Sequence, residues 1–281
     1  MKNIVTGFLL LISSFCIAQN KAFQVKVTGK GQPMLLLPGY SCTGEVWDET
    51  VEHLKDKYEL HVLTLAGFGG VARIDTPILK TVHNEIIEYV KANKLQKPLL
   101  MGHSLGAFMS LWVASSQPDL FGKLICVDGV PFISAMMNPA LTEGEVKANP
   151  QFDRKTTVEN FVKLPENGYE KQMEMSMRSQ VNDTNYAKKI AHWSFLSDRA
   201  TLGNTIIDIS TTDLRSSIAK IQASTLVLGS LYGNKENSER ILNEQYKLLP
   251  NKKIVVAESK HFIMYDVPHW FYSQIDSFLN Q

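Results

Sequence analysis

Cysteine is scarce in this chain. There are three in 281 residues, and no two stand as a CxxC pair. Nowhere do histidine and cysteine cluster at the spacing of a zinc site, which argues against metal-stapled and thioredoxin-type readings. An excess of one charge is also missing: 29 Lys+Arg face 28 Asp+Glu, a formal net charge of +1. That balance supplies no electrostatic attraction for nucleic acid or an anionic membrane, so neither is expected as a partner. Repeats, low-complexity tracts and long linkers are absent as well.

The long apolar run stands at the start, in MKNIVTGFLLLISSFCIAQN. Lys2 is followed by GFLLLISSFCIA and then a polar AQN, the layout of a signal peptide cut after Ala18. The stretch is too short for a comfortable membrane span, so no stable membrane anchor is expected. Cys16 suggests a lipoprotein, but the bulky Phe15 before it does not suit processing at small residues. The protein is therefore expected to be exported, periplasmic or secreted. Removing residues 1–18 takes away Lys2 and no acid, leaving 28 basic and 28 acidic residues. Cys42 and Cys126 remain. Cys126 lies inside the apolar run KLICVDG and reads as a buried thiol rather than half of a disulfide.

From residue 19 onward the period of the apolar residues keeps switching. FQVKV alternates, MLLLPG is a short apolar run, and EVWDETVEHLKDKYEL has helical spacing through Tyr58. HVLTL follows, then a helix in TPILKTVHNEIIEYVKANKL with Thr76 as its cap and Pro77 just inside. PLLMGHS, LGAFMSLWVASSQ and KLICVDG continue as strand, helix, strand. Short apolar strands alternating with amphipathic helices predict an α/β fold with a mostly parallel central sheet and helices on both faces. The alternation stops at Val130 and resumes near residue 221 with STLVLG, a helix around NSERILNEQYKLL, the strand KKIVVAES and a last helix. Residues 19–130 and 221–281 are thus the expected core. Residues 131–220 are an expected insertion, a mainly helical cap beyond the carboxyl ends of the strands, where such sheets bind ligands.

The stretch PLLMGHSLGAFMSLW contains Gly102-His103-Ser104-Leu105-Gly106. An apolar strand runs straight into this G-x-S-x-G spacing and an apolar helix runs straight out. The spacing serves a sharp strand-to-helix turn with Ser104 at its apex, where side chains at 102 and 106 would clash. With MLLLPGYS, the AGFGG loop and SKHFIMYDVP, these residues make the chain resemble the α/β-hydrolase fold family over nearly its whole length. It looks closer to the capped, single-domain esterase-like members than to the large lipases. The resemblance implies acyl transfer to water with Ser104 as nucleophile and neither metal nor cofactor.

Of seven histidines, His261 alone follows the final strand, where the family places its base. His53, His61 and His83 come before the serine, and His103 reads as packing beneath the turn. His192 lies in the insertion and His269 in the last helix. Two backbone N–H groups would bind the oxyanion: that of Leu105 and one from the PGYS loop, assigned to Tyr40 with Ser41 left open. The acid is less direct. The family commonly carries it in the loop after the strand TLVLG, but residues 224–239, STLVLGSLYGNKENSE, hold no aspartate. Some members carry it one strand earlier, and here KLICVDG ends in Asp128. Asp128 is favoured over Glu236, with Glu239 behind both.

Five of the ten methionines (Met136, Met137, Met173, Met175 and Met177) fall in the insertion. They could line an apolar pocket, but helical methionines more often simply pack. Phe132 and Trp193 carry the same two readings. The expected partner is a small ester with an apolar acyl or aryl group. Two other readings stand beside it: a ligand-binding protein that retains a hydrolase pocket, and a peptidase or amidase of the same fold.

Overall fold

In this computed structural model residues 21–281 are described, and the expected signal peptide lies outside them. The core elements are β1 (Phe23–Gly29), β2 (Gln32–Leu37), α1 (Asp48–Leu54), β3 (Tyr58–Leu65), α2 (Ile78–Ala92), β4 (Leu99–His103), α3 (Leu105–Ser116) and β5 (Leu124–Val127). Five helices then intervene before the sheet resumes: α4 (Glu143–Ala148), α5 (Arg154–Val162), α6 (Tyr169–Met177), α7 (Thr184–Leu196) and α8 (Arg199–Ser210). The chain closes with β6 (Thr225–Gly229), α9 (Lys235–Gln245), β7 (Lys252–Val256), α10 (Ile263–Asp266) and α11 (Pro268–Leu279).

The seven strands form one sheet in the order β1-β3-β2-β4-β5-β6-β7. Only β1 runs antiparallel to its neighbour. Alternate side chains explain why the central strands read as continuous apolar runs. Leu35, Leu37, Leu100, Leu124, Cys126 and Val227 pack on one face with α2, α3 and Leu242 of α9. Met34, Leu36, Met101, Ile125, Val127 and Leu228 pack on the other with Leu54 of α1 and with α11. Phe271, Ile275 and Phe278, spaced at i, i+4 and i+7, are the residues that α11 buries in this core. Each such burial contributes about 1.5–3 kcal/mol. Helix α3 is buried almost all round, as its uniformly apolar sequence requires.

The helix expected through Tyr58 ends at Leu54. Tyr58 instead opens β3, paired with Gln32 of β2, because ladder pairing outweighs the local helical period. The expected Thr76 cap does not form: Pro77 takes the capping position of α2 and no side chain caps it. Between β5 and β6 no strand occurs among the described residues. Four of the five helices there start at side chains that accept from their own first turns, and α6 starts at Gly168 without one. Thr142 makes a capping box with Glu145, and Asp153, Asp183 and Asp198 cap α5, α7 and α8. Both remaining cysteines are free and buried. No helix among the described residues is long and apolar enough to cross a membrane.

Five loops leave the carboxyl edge of the sheet and bring chemistry to one place. They carry Tyr40 after β2, Ser104 after β4, Asp128 after β5, Ser230 after β6 and His261 after β7.

Candidate active site

Ser104 sits between β4 and α3 at φ 54° and ψ −115°, a conformation that costs a residue with a side chain about 1–3 kcal/mol. Its amide is tied to Val127 O at 2.8 Å, so the sheet itself holds the strained turn. The two flanking glycines are sterically required. A Cβ on Gly102 would stand 2.1 Å from Gly106 O, and one on Gly106 would stand 2.1 Å from Leu37 O. The turn is therefore wedged against the end of β2, beside the PGYS loop. A Cβ on Gly39 would lie 3.4 Å from Ser104 Cβ and 2.7 Å from His103 Nδ1, so the close approach of this loop to the turn leaves no room for a side chain at 39. Ser41 takes a positive φ of 58° to complete the turn. Among the loop hydrogen bonds of the described residues, neither Tyr40 N–H nor Leu105 N–H donates to a carbonyl.

His261 Nδ1 donates to Asp128 Oδ2 at 2.6 Å. This leaves Nε2 as the ring nitrogen for a partner in the cavity. The Asp128 side chain is fully buried and its backbone φ is 45°. Three further donors reach it. Ser230 N–H and Tyr232 Oη donate to Oδ1 at 2.7 and 2.8 Å, and Ser230 Oγ donates to Oδ2 at 2.7 Å. Burial alone would raise this carboxyl. The hydrogen bond and charge of His261, with the two bonds from Ser230, outweigh it and hold Asp128 below the usual carboxylate range. Glu236 and Glu239 lie exposed on α9, away from this contact.

Four other histidines are occupied elsewhere, and His269 is exposed on α11. His53 pairs with Asp276, His61 with Glu59 and Tyr89, His83 with Ser116 and Asn84, and His192 with Glu170. His103 lies beneath the turn, fully buried, and its Nε2 donates to His261 O at 3.1 Å. Burial, reinforced by the neighbouring His261, pushes its imidazole down to about 3, so it stays neutral.

Ser104 and His261 open onto two lobes of one cleft. The larger, about 470 Å³, is lined by the PGYS loop, Phe161, Leu164, Tyr169, Ile190 and Ile206 among others. The smaller, about 110 Å³, is lined by Asp128, Gly129, Val130, Met136 and Tyr232. Ser104, Ile133, Ile209 and His261 border both. The methionine idea divides. Met173 and Met177 face the large lobe and Met136 the small one, whereas Met137 and Met175 are exposed. Phe132 and Trp193 are buried as packing residues.

The alpha/beta hydrolase fold family matches residues 32–268. The chain belongs to that family. A curated relative, the pimeloyl-[acyl-carrier protein] methyl ester esterase of Aliivibrio fischeri strain MJ11, is 25% identical over 260 residues. That match covers 90% of this chain and 95% of the relative. Among solved structures, a thermophilic esterase from Thermogutta terrifontis has a TM-score of 0.74 at 18% identity, covering 92% of this chain and 93% of its own. The enol-lactonase from Burkholderia xenovorans LB400 has a TM-score of 0.73 at 12% identity, covering 92% and 96%. As a member of the alpha/beta hydrolase family the protein is an enzyme, a hydrolase. What sequence reading missed in this hydrolase is the pair Ser230 and Tyr232. The available signal was position: they stand just past β6, where an acid had been sought.

Proposed function

We propose that the protein is an exported serine esterase, cleaving a carboxylic ester of a small alcohol through an acyl-enzyme. The observation that carries the reading is the 2.6 Å contact of His261 Nδ1 with buried Asp128, beside a serine held at φ 54°. In this mechanism Ser104 Oγ attacks the ester carbonyl and passes its proton to His261 Nε2. The N–H groups of Leu105 and Tyr40 receive the oxyanion. His261 returns the proton to the departing alkoxide, and the alcohol leaves. Water then repeats the sequence on the acyl-enzyme, releasing the acid and restoring Ser104. Asp128 remains ionised throughout and fixes the tautomer and direction of the imidazole. No step requires a metal or cofactor.

The cleft suggests the shape of the substrate. Its large lobe is mainly apolar and suits an acyl chain, with helices α5 to α8 acting as a cap over the strand ends. The small lobe is also bordered by Ser104 and His261 and is left for the alcohol side of the ester when the acyl chain fills the large one. At about 110 Å³ it is smaller than the roughly 150 Å³ cavity that admits benzene, which favours a short alcohol. The methyl ester named for the Aliivibrio relative agrees with this reading. Export rests on the charged, apolar and small-residue order of residues 1–18.

Methyl esters of graded acyl length, followed by acid release in a pH-stat, test the activity. Ser104→Ala should lower turnover by about 10⁴-fold or more with the fold retained. Retention of a tenth of the rate would refute the mechanism. The protein should be recovered outside the cytoplasm with its N-terminus near residue 19, and recovery only from the cytoplasm with Met1 intact would refute the export reading.

A further inference from the structure

The loop after β6 lacks the acid sought there, yet it is built tightly against the acid that stands elsewhere. Its backbone is clamped on both sides of Tyr232. Tyr232 N–H donates to Ser238 Oγ at 2.7 Å, and Asn237 Nδ2 donates to Tyr232 O at 2.7 Å. Ser238 is fully buried and donates in turn to Asn234 O. The first turn of α9 thus sets the direction of the Tyr232 side chain, whose phenol reaches across to Asp128 Oδ1 at 2.8 Å. Each carboxylate oxygen then accepts two bonds. Ser230 N and Tyr232 Oη hold Oδ1, while Ser230 Oγ and His261 Nδ1 hold Oδ2. Tyr232 also borders the small lobe beside Ser104 and His261, so without its phenol Oδ1 would face that lobe short of one donor.

Resting on the catalytic reading above, we infer that Tyr232 is a positioning residue: its phenol fixes the rotation of the Asp128 carboxylate and, through it, the His261 ring. The phenol does this as a neutral donor. Burial, followed by the charge and hydrogen bond of Asp128, raises it well above the ordinary tyrosine range. A simple wall residue would need only the ring. A positioning donor needs the hydroxyl, and the two roles part in Tyr232→Phe.

With its phenol gone, the carboxylate is less neutralised at Oδ1 and stabilises the imidazolium of His261 more strongly. The acidic limb of kcat/KM should therefore move to higher pH. Turnover should fall about ten-fold, the cost of losing one hydrogen bond to a charged group, because the carboxylate can now rotate. KM for a methyl ester should change less than about two-fold, since the ring still fills the wall. The other titratable groups near the carboxylate do not confuse the profile. His103 is pushed down to about 3 and Cys126 up to about 12 by burial, and Tyr246 is raised by burial as well.

The test is the pH profile of methyl ester hydrolysis by wild type, Tyr232→Phe, and a protein with 3-fluorotyrosine placed at 232 alone. Fluorination makes the phenol a stronger donor and should move the limb the opposite way, toward lower pH, in a side chain of nearly unchanged size. Lower turnover with opposite limb shifts supports the inference. Unchanged profiles in both proteins, or a rise in KM alone, would overturn it. If Ser104→Ala keeps its activity, the catalytic reading itself fails. If Ser104→Ala is inactive and both Tyr232 proteins match wild type, only the role of Tyr232 fails.

Discussion

Strands β5 and β6 lie side by side, and their ends do opposite work at the same histidine. The end of β5 offers a carboxylate, Asp128, at a positive φ of 45°. The end of β6 offers three donors to that carboxylate, Ser230 N–H, Ser230 Oγ and Tyr232 Oη. On the proposed reading the catalytic acid stands on the neighbouring strand, and the loop after β6 supplies donors to it in place of an acid. A buried carboxylate is tolerable because four bonds replace its lost hydration. Its displacement therefore involves both loops together.

The comparison breaks most visibly when charge is removed from one end and then from the other helix start. Asp128→Asn should lower turnover about a thousand-fold or more, since the imidazole loses its tautomer control. Steady-state kinetics on the folded variant checks this, and a loss under ten-fold would move the acid elsewhere. A second test concerns His103, which holds His261 O from the opposite side. Folded His103 stays neutral down to about 3, whereas the unfolded chain takes up a proton below 6.5. Stability should consequently drop as pH falls across that window, by up to about 1.4 kcal/mol per pH unit. Urea unfolding between pH 7 and 5 measures the slope, which His103→Asn should flatten. Ser230→Ala removes one donor from the buried carboxylate and should cost about 1.5–3 kcal/mol in the same assay. At the small end, Glu236→Gln should change stability by less than about 0.5 kcal/mol, as for other exposed positions, and leave turnover within two-fold.

The sheet was legible because each central strand is apolar on both sides, which marks a parallel sheet covered on both faces. The boundary at Leu54 was not legible. Tyr58 fits the helical period, and only its pairing with Gln32 reveals a strand. Ser104, Asp128 and His261 could be read because each ends or follows an apolar strand, and strand ends share one edge. Ser230 and Tyr232 could not be read, since their contacts depend on a backbone clamp made by Asn237 and Ser238. The lining from α5 was equally hidden, and that from α6 showed only in Met173 and Met177. Helix α5 contributes no fully buried residue, and in α6 only Tyr169 is buried, so neither shows a strong apolar stripe.

The most direct measurement is the rate at which a fluorophosphonate probe modifies the serine, with the site mapped by mass spectrometry. In the proposed mechanism attack on phosphorus uses the same serine, histidine and acid as attack on an ester. The probe should mark Ser104 alone. Its rate should fall about a thousand-fold in Asp128→Asn and stay within two-fold of wild type in Glu236→Gln. Labelling at another residue, or a collapse of the rate in Glu236→Gln while Asp128→Asn keeps it, would contradict the assignment of Ser104, His261 and Asp128 as one catalytic unit.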